Sequence, residues 1–317
     1  MSGRDSLATA SVVVPTRDRW PFLRQAIDVG LAQEGVEVEV VVVDDGSRDE
    51  SPERLLGLGD PRLRVVRHDR PRGVAAARNS GISAARGEWI ALLDDDDLWS
   101  PRKLRTQIDA AVAAGAEWAY AASLVVDEHR RPLRLSMLPP DPGRVLNELL
   151  RRNVMPAGSS NVIATARLLR GLGGFDERLH QLADWDLWIR LAAAGRPAAC
   201  PALLVAYTEH SHNMLVQSSH LLIEELDYIE SKHRTLSART SSRIDRRAIW
   251  RWIAWAQRRA GRRRAAVRTY CRAAIAERSP GDLVRAAAAA FGERAMRGVG
   301  SPGDAQLEEP DWLGRYA

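Results

Sequence analysis

Four consecutive aspartates, Asp94–Asp97, follow the apolar run "WIALL" (Trp89–Leu93), and no basic residue comes after them until Arg102. Adjacent carboxylates repel one another, so a chain that ends a buried strand this way needs a neutralising partner. A divalent cation is the natural one. Mg2+ and Mn2+ prefer oxygen ligands, and Mg2+ commonly takes one or two carboxylates together with substrate phosphates. The tip therefore reads as a place where a metal holds a pyrophosphate. A solvated loop in which Asp97 caps the next helix is the bland alternative. A second acidic pair, Asp44–Asp45 in "VVVVDDGSRDES" (Val40–Ser51), offers acceptors to a base or a ribose. A tight turn and a helix cap explain Gly46 and Ser47 there, but not the two acids together. Arg78, inside "RPRGVAAARNSGISAARG" (Arg70–Gly87), either meets a diphosphate or faces solvent.

These groups act together only if the chain brings them to one rim. "SVVVP" (Ser11–Pro15), "VEVEVVVVDD" (Val36–Asp45) and "EWIALLDDDD" (Glu88–Asp97) have the composition of strands buried on both faces, and "LRVVRH" (Leu63–His68) is a weaker fourth. Helical spacing over residues 20–33 and 73–86 separates them. Alternation of this kind predicts an α/β fold with a mostly parallel sheet flanked by helices. Ligands of open α/β sheets bind beyond the carboxyl ends of the strands, which here are Thr16–Arg17–Asp18, Asp44–Asp45 and Asp94–Asp97. Further on, the pattern predicts a helix from Pro101 to about Gly115, a strand in "AEWAYAASLVVDE" and a loop-rich stretch over 139–160. It also predicts a strand entering a helix at "SSNVIAT", a helix from near Asp184 to Gly195, and a strand in "AACPALLVAYTEHSH".

Composition bounds the setting. The chain has 317 residues, 45% hydrophobic and 27% charged, which is globular and long enough for two domains. The net charge is +5, and the last third is rich in arginine, which favours an anionic partner there. Two cysteines, Cys200 and Cys271, make no metal or disulfide pattern, which suits a reducing compartment. "MSGRDSLATASVVVP" lacks the apolar core of a signal peptide, and no run approaches the roughly 18 apolar residues of a membrane span, so a cytoplasmic protein is expected.

The motifs "SVVVPTRDR", "VVVVDDGSRDES", "GVAAARNSGISAARGEWIALLDDDD" and "GGFDERLHQLADWDLWIRL" stand in the order found in glycosyltransferase family 2, of the GT-A fold, and the resemblance covers about residues 11–212. It implies an inverting, metal-dependent transferase that uses a nucleoside-diphosphate sugar of the UDP or dTDP type and Mn2+ or Mg2+. Carried residue by residue, it implies nucleotide contacts at Pro15, Thr16 and Arg17, and a base-reading acid at Asp45 with Asp44 beside it. It puts a basic contact at Arg78, matches Asp94-Asp95-Asp96 to the family's D-x-D with Asp94 or Asp95 near the ribose and the metal on Asp96, and brings His210 of "YTEHSHNM" to the metal or the diphosphate. Asp97 corresponds to an extra acid of unassigned role. The catalytic base falls on Asp184 of "ADWDLW"; relatives usually carry Glu-Asp at this point, and Ala183 replaces the Glu, which bears on the acceptor. Asp186 and Arg190 read as a structural i,i+4 pair, Trp188 as core, and His68 and His180 as histidines without a constellation.

From about Ser218 the texture changes to Arg- and Ala-rich helices. The expected organisation is a catalytic domain over 1–217, a helical domain over 218–300 and a loosely ordered tail over 301–317. "AIWRWIAWAQRRAGRRRAAVRTYCRAAIAERSP" (Ala248–Pro280) resembles a tetratricopeptide helix pair, with Gly261 at the turn and Ala266, Tyr270 and Ala273 at packing positions. A homodimer through these helices, peripheral membrane contact and an acidic peptide are the partners left open; no nucleic acid is expected, since no fold signature for one is present. The acceptor stays open among peptide, saccharide, lipid-linked and small-molecule classes. Two rivals stand beside the transferase. One is an inactive nucleotide-sugar-binding scaffold acting through the C-terminal helices. The other is a pyrophosphorylase, which would carry a Gly-rich phosphate loop where this chain has "VVVPTRDRWP".

Overall fold

The computed structural model describes residues 7–137, 139–209, 222–259, 261–276, 278–291 and 310–316. They divide into two compact units, one within Met1–Leu149, Val154–Thr208 and Leu307–Ala317, the other within Leu150–Asn153 and Glu209–Gln306. In the first unit the alternating pattern gives β1 (Thr9–Thr16), α1 (Trp20–Leu31), β2 (Glu37–Asp44), α2 (Ser51–Leu56), β3 (Leu63–Arg67), α3 (Val74–Ala84), β4 (Trp89–Leu92), β5 (Leu98–Trp99) and α4 (Lys103–Ala114). There follow β6 (Trp118–Val126), β7 (Pro132–Met137), α5 (Val145–Leu149), β8 (Ile163–Thr165), α6 (Ala166–Gly171), α7 (Ala183–Ala194) and β9 (Ala198–Thr208).

Among the described residues nine strands form one sheet in the order β3-β2-β1-β4-β8-β6-β9-β5, with β7 also on β6. Pairing is parallel through β3, β2, β1 and β4 and again between β6 and β9. It is antiparallel at β4–β8, β8–β6, β6–β7 and β9–β5, so the sheet is mixed. A parallel return needs a crossover of a dozen residues or more, and the connection from β6 to β7 lacks that length. The register levels the carboxyl ends of the parallel strands: Thr16 lies beside Asp44, and Asp44 beside Arg67. The N–H of Leu93 donates to the carbonyl of Val13 at 3.0 Å, so Asp94 emerges at the same rim.

The valine runs of β1 and β2 are buried on both faces because helices cover both sides. On one side α3 approaches β1 so closely that a Cβ placed on Gly81 would stand 2.2 Å from Cγ1 of Val13. The stretch over 139–160, expected as loop, contains α5 and a 3-10 turn at Gly158–Asn161. The tail is not loose throughout: Leu313 is buried, the Trp312 indole donates to the Leu203 carbonyl at 2.9 Å, and the Tyr316 hydroxyl donates to the Trp99 carbonyl at 2.9 Å. Three large side chains anchor this segment to the first unit, against what its Gly/Pro/acid composition suggested.

The second unit is helical: α8 (Leu222–Lys232), α9 (Arg234–Arg239), α10 (Arg246–Arg259), α11 (Arg263–Ala276) and α12 (Pro280–Phe291). It takes in Leu150–Asn153 and Glu209, both earlier than the expected start at 218. Small residues let its helices approach: Ala254, Ala266, Tyr270, Ala286 and Ala289 form one cluster, and Gly261 turns at φ +70°. Asp282 is fully buried and receives Arg247 at 3.0 Å and Arg251 at 2.7 Å. Among the described residues no helix is long and apolar enough to cross a membrane.

Gly81→Ala is expected to destabilise the first unit by about 1–3 kcal/mol, since overpacking against Val13 outweighs the higher helix propensity of alanine. Urea unfolding followed by tryptophan fluorescence measures it; an unchanged or raised midpoint would contradict the close approach of α3 to β1.

Candidate functional site

The neutralising charges that the sequence does not supply after the four aspartates come from elsewhere in the fold. Asp95 accepts from the Thr16 hydroxyl at 2.9 Å and pairs with Arg19 at 3.0 Å; the same guanidinium reaches Asp96 at 2.9 Å. Asp94 pairs with Arg78 at 2.5 Å. Asp97 has another task. It is fully buried, accepts from the Ser160 hydroxyl at 2.5 Å and from the Thr208 N–H at 3.0 Å, and so ties the acidic loop to the 3-10 turn and to β9. It does not cap α4.

Among the described residues two guanidinium groups, of Arg19 and Arg78, pair with Asp94, Asp95 and Asp96. Burial, then the charge of Asp96, pushes the Asp95 carboxyl up to about 7 against the opposing pull of Arg19 and Thr16. Burial, then Asp96 and Asp94, raises Asp97 as well. For Arg19, burial opposes ionisation, but Asp95 and Asp96 outweigh it and raise the guanidinium. Excess negative charge and hard oxygen donors fit a divalent cation of the kind that shares one or two carboxylates with phosphate oxygens. Among the described residues no three His, Cys, Asp or Glu side chains converge on one metal position. His210 lies outside the described residues.

Arg78 is held in place twice over, by Asp94 and by the Phe175 ring, whose centroid is 5.2 Å from the guanidinium carbon. Arg17 is exposed and pairs with its neighbour Asp18 at 3.5 Å, outside the cluster. Pro15 lies in β1 opposite Val43. Asp18, at φ +54°, accepts the N–H of Arg48 at 2.6 Å and donates its own N–H to the Ser47 hydroxyl at 2.9 Å, which joins the turns after β1 and β2.

Beside it, Asp44 is buried. One carboxylate oxygen takes the Ser47 N–H at 2.8 Å, and the other has no hydrogen bond but lies 3.5 Å from Arg67. Asp45 is more fully engaged. It accepts the N–H groups of Arg72 and Gly73, each at 2.8 Å, and the Nδ1 side of His68 at 2.7 Å; Nε2 of His68 meets the Ser80 hydroxyl at 2.8 Å. His68 therefore does belong to a constellation, contrary to the reading from sequence, which had no signal linking positions 45, 68 and 80.

Asp184 sits in the first turn of α7 and accepts the Trp185 N–H at 2.6 Å. Its Oδ2 lies 3.6 Å from where a Cβ on Gly158 would stand. Gly158 opens the 3-10 turn whose Ser160 accepts the Asp94 N–H at 3.0 Å and donates to Asp97, so Asp184 stands against the turn that holds the acidic tip. Ala157 and Gly158 both have positive φ, +50° and +51°, and strain of this sort in a non-glycine residue concentrates at functional sites. Asp186 is buried on Arg190 at 2.8 Å, and Trp188 is buried edge-on to Phe175 at 6.4 Å; both are structural, as expected.

Sequence reasoning missed Arg19 and Asn79. Asn79 donates to the Phe175 carbonyl at 2.9 Å and accepts the Phe175 N–H at 2.7 Å, which docks the "GGFDE" loop on α3. The signal for Arg19 was in the text of "PTRDR", a second arginine just beyond the strand end.

With this arrangement in view, the comparisons are decisive for family. The model of Glycosyl transferase family 2 matches residues 11–170. The chain belongs to glycosyl transferase family 2. It is 38% identical over 229 residues to the succinoglycan biosynthesis protein ExoO of Rhizobium meliloti, an alignment that covers 68% of this chain and 66% of ExoO, just under two thirds of that protein. In fold it resembles S. aureus TarS residues 1–349 in complex with UDP-GlcNAc, at TM-score 0.54 and 20% identity, with 64% of this chain and 59% of that chain covered. It also resembles the mannosyltransferase PcManGT of Pyrobaculum calidifontis in complex with GDP-Man and Mn2+, at TM-score 0.54 and 20% identity, covering 94% and 86%. The mixed α/β sheet with flanking helices is thus the GT-A-like fold of this family.

The raised Asp95 carries a sign. Between its ordinary value near 3.8 and about 7, the folded state holds more protons than the unfolded one, so the group's penalty on stability is absent below the lower value and complete above the upper. Asp95→Asn is expected to raise Tm in metal-free buffer at about pH 8 and to have a much smaller effect at about pH 4. Scanning calorimetry at the two pH values checks it; equal shifts would contradict the charge origin.

Proposed function

We propose that the chain is a metal-dependent inverting glycosyltransferase that moves a sugar from a nucleoside-diphosphate donor, of the UDP or dTDP type, to an acceptor hydroxyl. The observation that supports this reading is the acidic tip at the end of β4, three rim carboxylates gathered on Arg19 and Arg78, level with the acidic end of β2. The nucleotide lies over the ends of β1 and β2, with Pro15, Thr16 and Arg17 beside it and Asp44 and Asp45 at the base. Asp94 and Asp95 face the ribose and diphosphate, and Arg78 holds Asp94 in register.

Asp96 would hold Mn2+ or Mg2+. The bound metal supplies charge stabilisation to the departing diphosphate. Arg19 holds Asp95 and Asp96 in place, and its guanidinium adds a second cation at the leaving group's side. Inversion is a single displacement: the acceptor oxygen attacks the anomeric carbon from the face opposite the diphosphate, and Asp184 takes its proton. The relative ExoO, named for succinoglycan biosynthesis, supports a saccharide as acceptor.

The test is turnover with Mn2+ across UDP- and dTDP-sugars, followed as nucleotide diphosphate release, on wild type and Asp184→Asn. The variant is expected to lose about 10²–10⁴-fold in kcat, the range for a lost general base, while its UDP affinity stays within about threefold. Wild-type rates in the variant would remove Asp184 as the base; no turnover of any donor by wild type would favour a binding protein. Asp96→Asn is expected to abolish the Mn2+-dependent gain in UDP affinity, read by calorimetry with and without the metal, and an undiminished gain would take the metal off Asp96.

A further inference from the structure

Asp45 is tied to two kinds of neighbour. The amides of Arg72 and Gly73 lie at the entry to α3, whose N-cap is Gly73, and the segment before them lies against the β2 turn: a Cβ on Gly46 would stand 2.9 Å from the nitrogen of Pro71. His68 is different. It directly follows β3, its N–H donates to the Asp44 carbonyl at 2.9 Å, and its far ring nitrogen reaches Ser80 on α3 at 2.8 Å. It ties the Asp45 side chain to the end of β3 and to the body of α3, and both partners are buried, with 7% and 8% of their side chains exposed.

The chemistry of the chain follows from its end. A carboxylate only accepts, so the imidazole presents N–H at Nδ1, and Nε2 shares its hydrogen bond with the Ser80 hydroxyl. A carboxylate offers about four acceptor positions. Among the described residues Oδ1 uses two, on His68 and Arg72, and Oδ2 uses one, on Gly73. One acceptor position remains, on Oδ2, and its direction is fixed by the bonds of His68 and Arg72 to Oδ1 and of Gly73 to Oδ2.

We propose that His68, backed by Ser80, is the positioning residue for nucleobase selection: it locks Asp45 as an acceptor-only contact, which admits bases with a ring N–H (uracil, thymine, guanine) and repels cytosine, whose N3 is itself an acceptor. This rests on Asp45 being the base contact proposed above. A site built to hydrogen-bond a ring N–H rejects the analogue that lacks it only as long as the site's polar group cannot swing away.

The experiment is calorimetric titration with UDP, GDP and CDP in the presence of Mn2+, on wild type, His68→Asn, His68→Gln, Ser80→Ala and Asp45→Asn. Asparagine places its amide near the Nδ1 position and keeps the bond to Asp45; glutamine places it near Nε2 and does not. Wild type is expected to bind the better of UDP and GDP well above CDP. His68→Gln should weaken that nucleotide about tenfold, the size of one lost charged hydrogen bond, and leave CDP within about twofold, while His68→Asn recovers most of the preference. Ser80→Ala should lower the preference about threefold in the same direction, and it carries the comparison should His68→Gln not fold.

A wild-type preference in His68→Gln or, where that protein does not fold, in Ser80→Ala, with the preference lost in Asp45→Asn, overturns the role of His68 and leaves Asp45 standing. A preference that survives in Asp45→Asn overturns Asp45 as the base contact, and this role with it. Equal affinity of the wild type for all three nucleotides does the same. Loss of affinity for CDP equal to that for the preferred nucleotide marks a merely structural role and overturns the proposal.

Discussion

The mutual repulsion of Asp94, Asp95, Asp96 and Asp97 is the constraint around which the first unit is organised. Each carboxylate meets it differently. Asp97 leaves the rim and is buried on a hydroxyl and an amide. Asp94 has an arginine of its own from α3, while Asp95 and Asp96 share one from the turn after β1. Among the described residues two guanidinium groups meet three rim carboxylates, and burial, then the charge of Asp96, raises Asp95. A site of this kind is under strain that a cation or a proton relieves, which is how a binding position for a charged ligand is prepared before the ligand arrives.

The counter-charges depend on packing some way from the tip. Arg78 can reach Asp94 because α3 lies close on β1, and the absence of a side chain at Gly81 is what permits that approach. Arg78 is also stacked on Phe175, and its neighbour Asn79 binds the main chain of Phe175. The loop that leads toward α7 is therefore anchored to the same helix that steadies the acidic tip. Asp184 is placed from the other direction, against the 3-10 turn that carries Ser160. On the far side, Tyr316 fixes the carbonyl of Trp99, two residues beyond Asp97.

Much of the first unit was legible in the chain because its strands are buried on both faces and its helices are not. Unbroken valine runs ending in acids, separated by helical spacing, leave few arrangements other than parallel strands with a polar rim. The antiparallel half was less legible: β8 is three residues long and β5 only two, too short for any periodicity. The end of the chain misled for a related reason, since three anchoring side chains are outvoted by the Gly, Pro and acid around them.

The sequence by itself determined the residue types at the rim, the order of the strands that carry them and the family whose motifs they form, because burial period and local turn chemistry act over a few neighbouring residues. Only the tertiary structure decided which arginines neutralise which aspartates, that Asp97 is structural, and that Asp45, His68 and Ser80 form one chain. Those partners are separated by 12 to 111 residues, and contacts at such distances follow from how the sheet and helices close on one another, which no local pattern records.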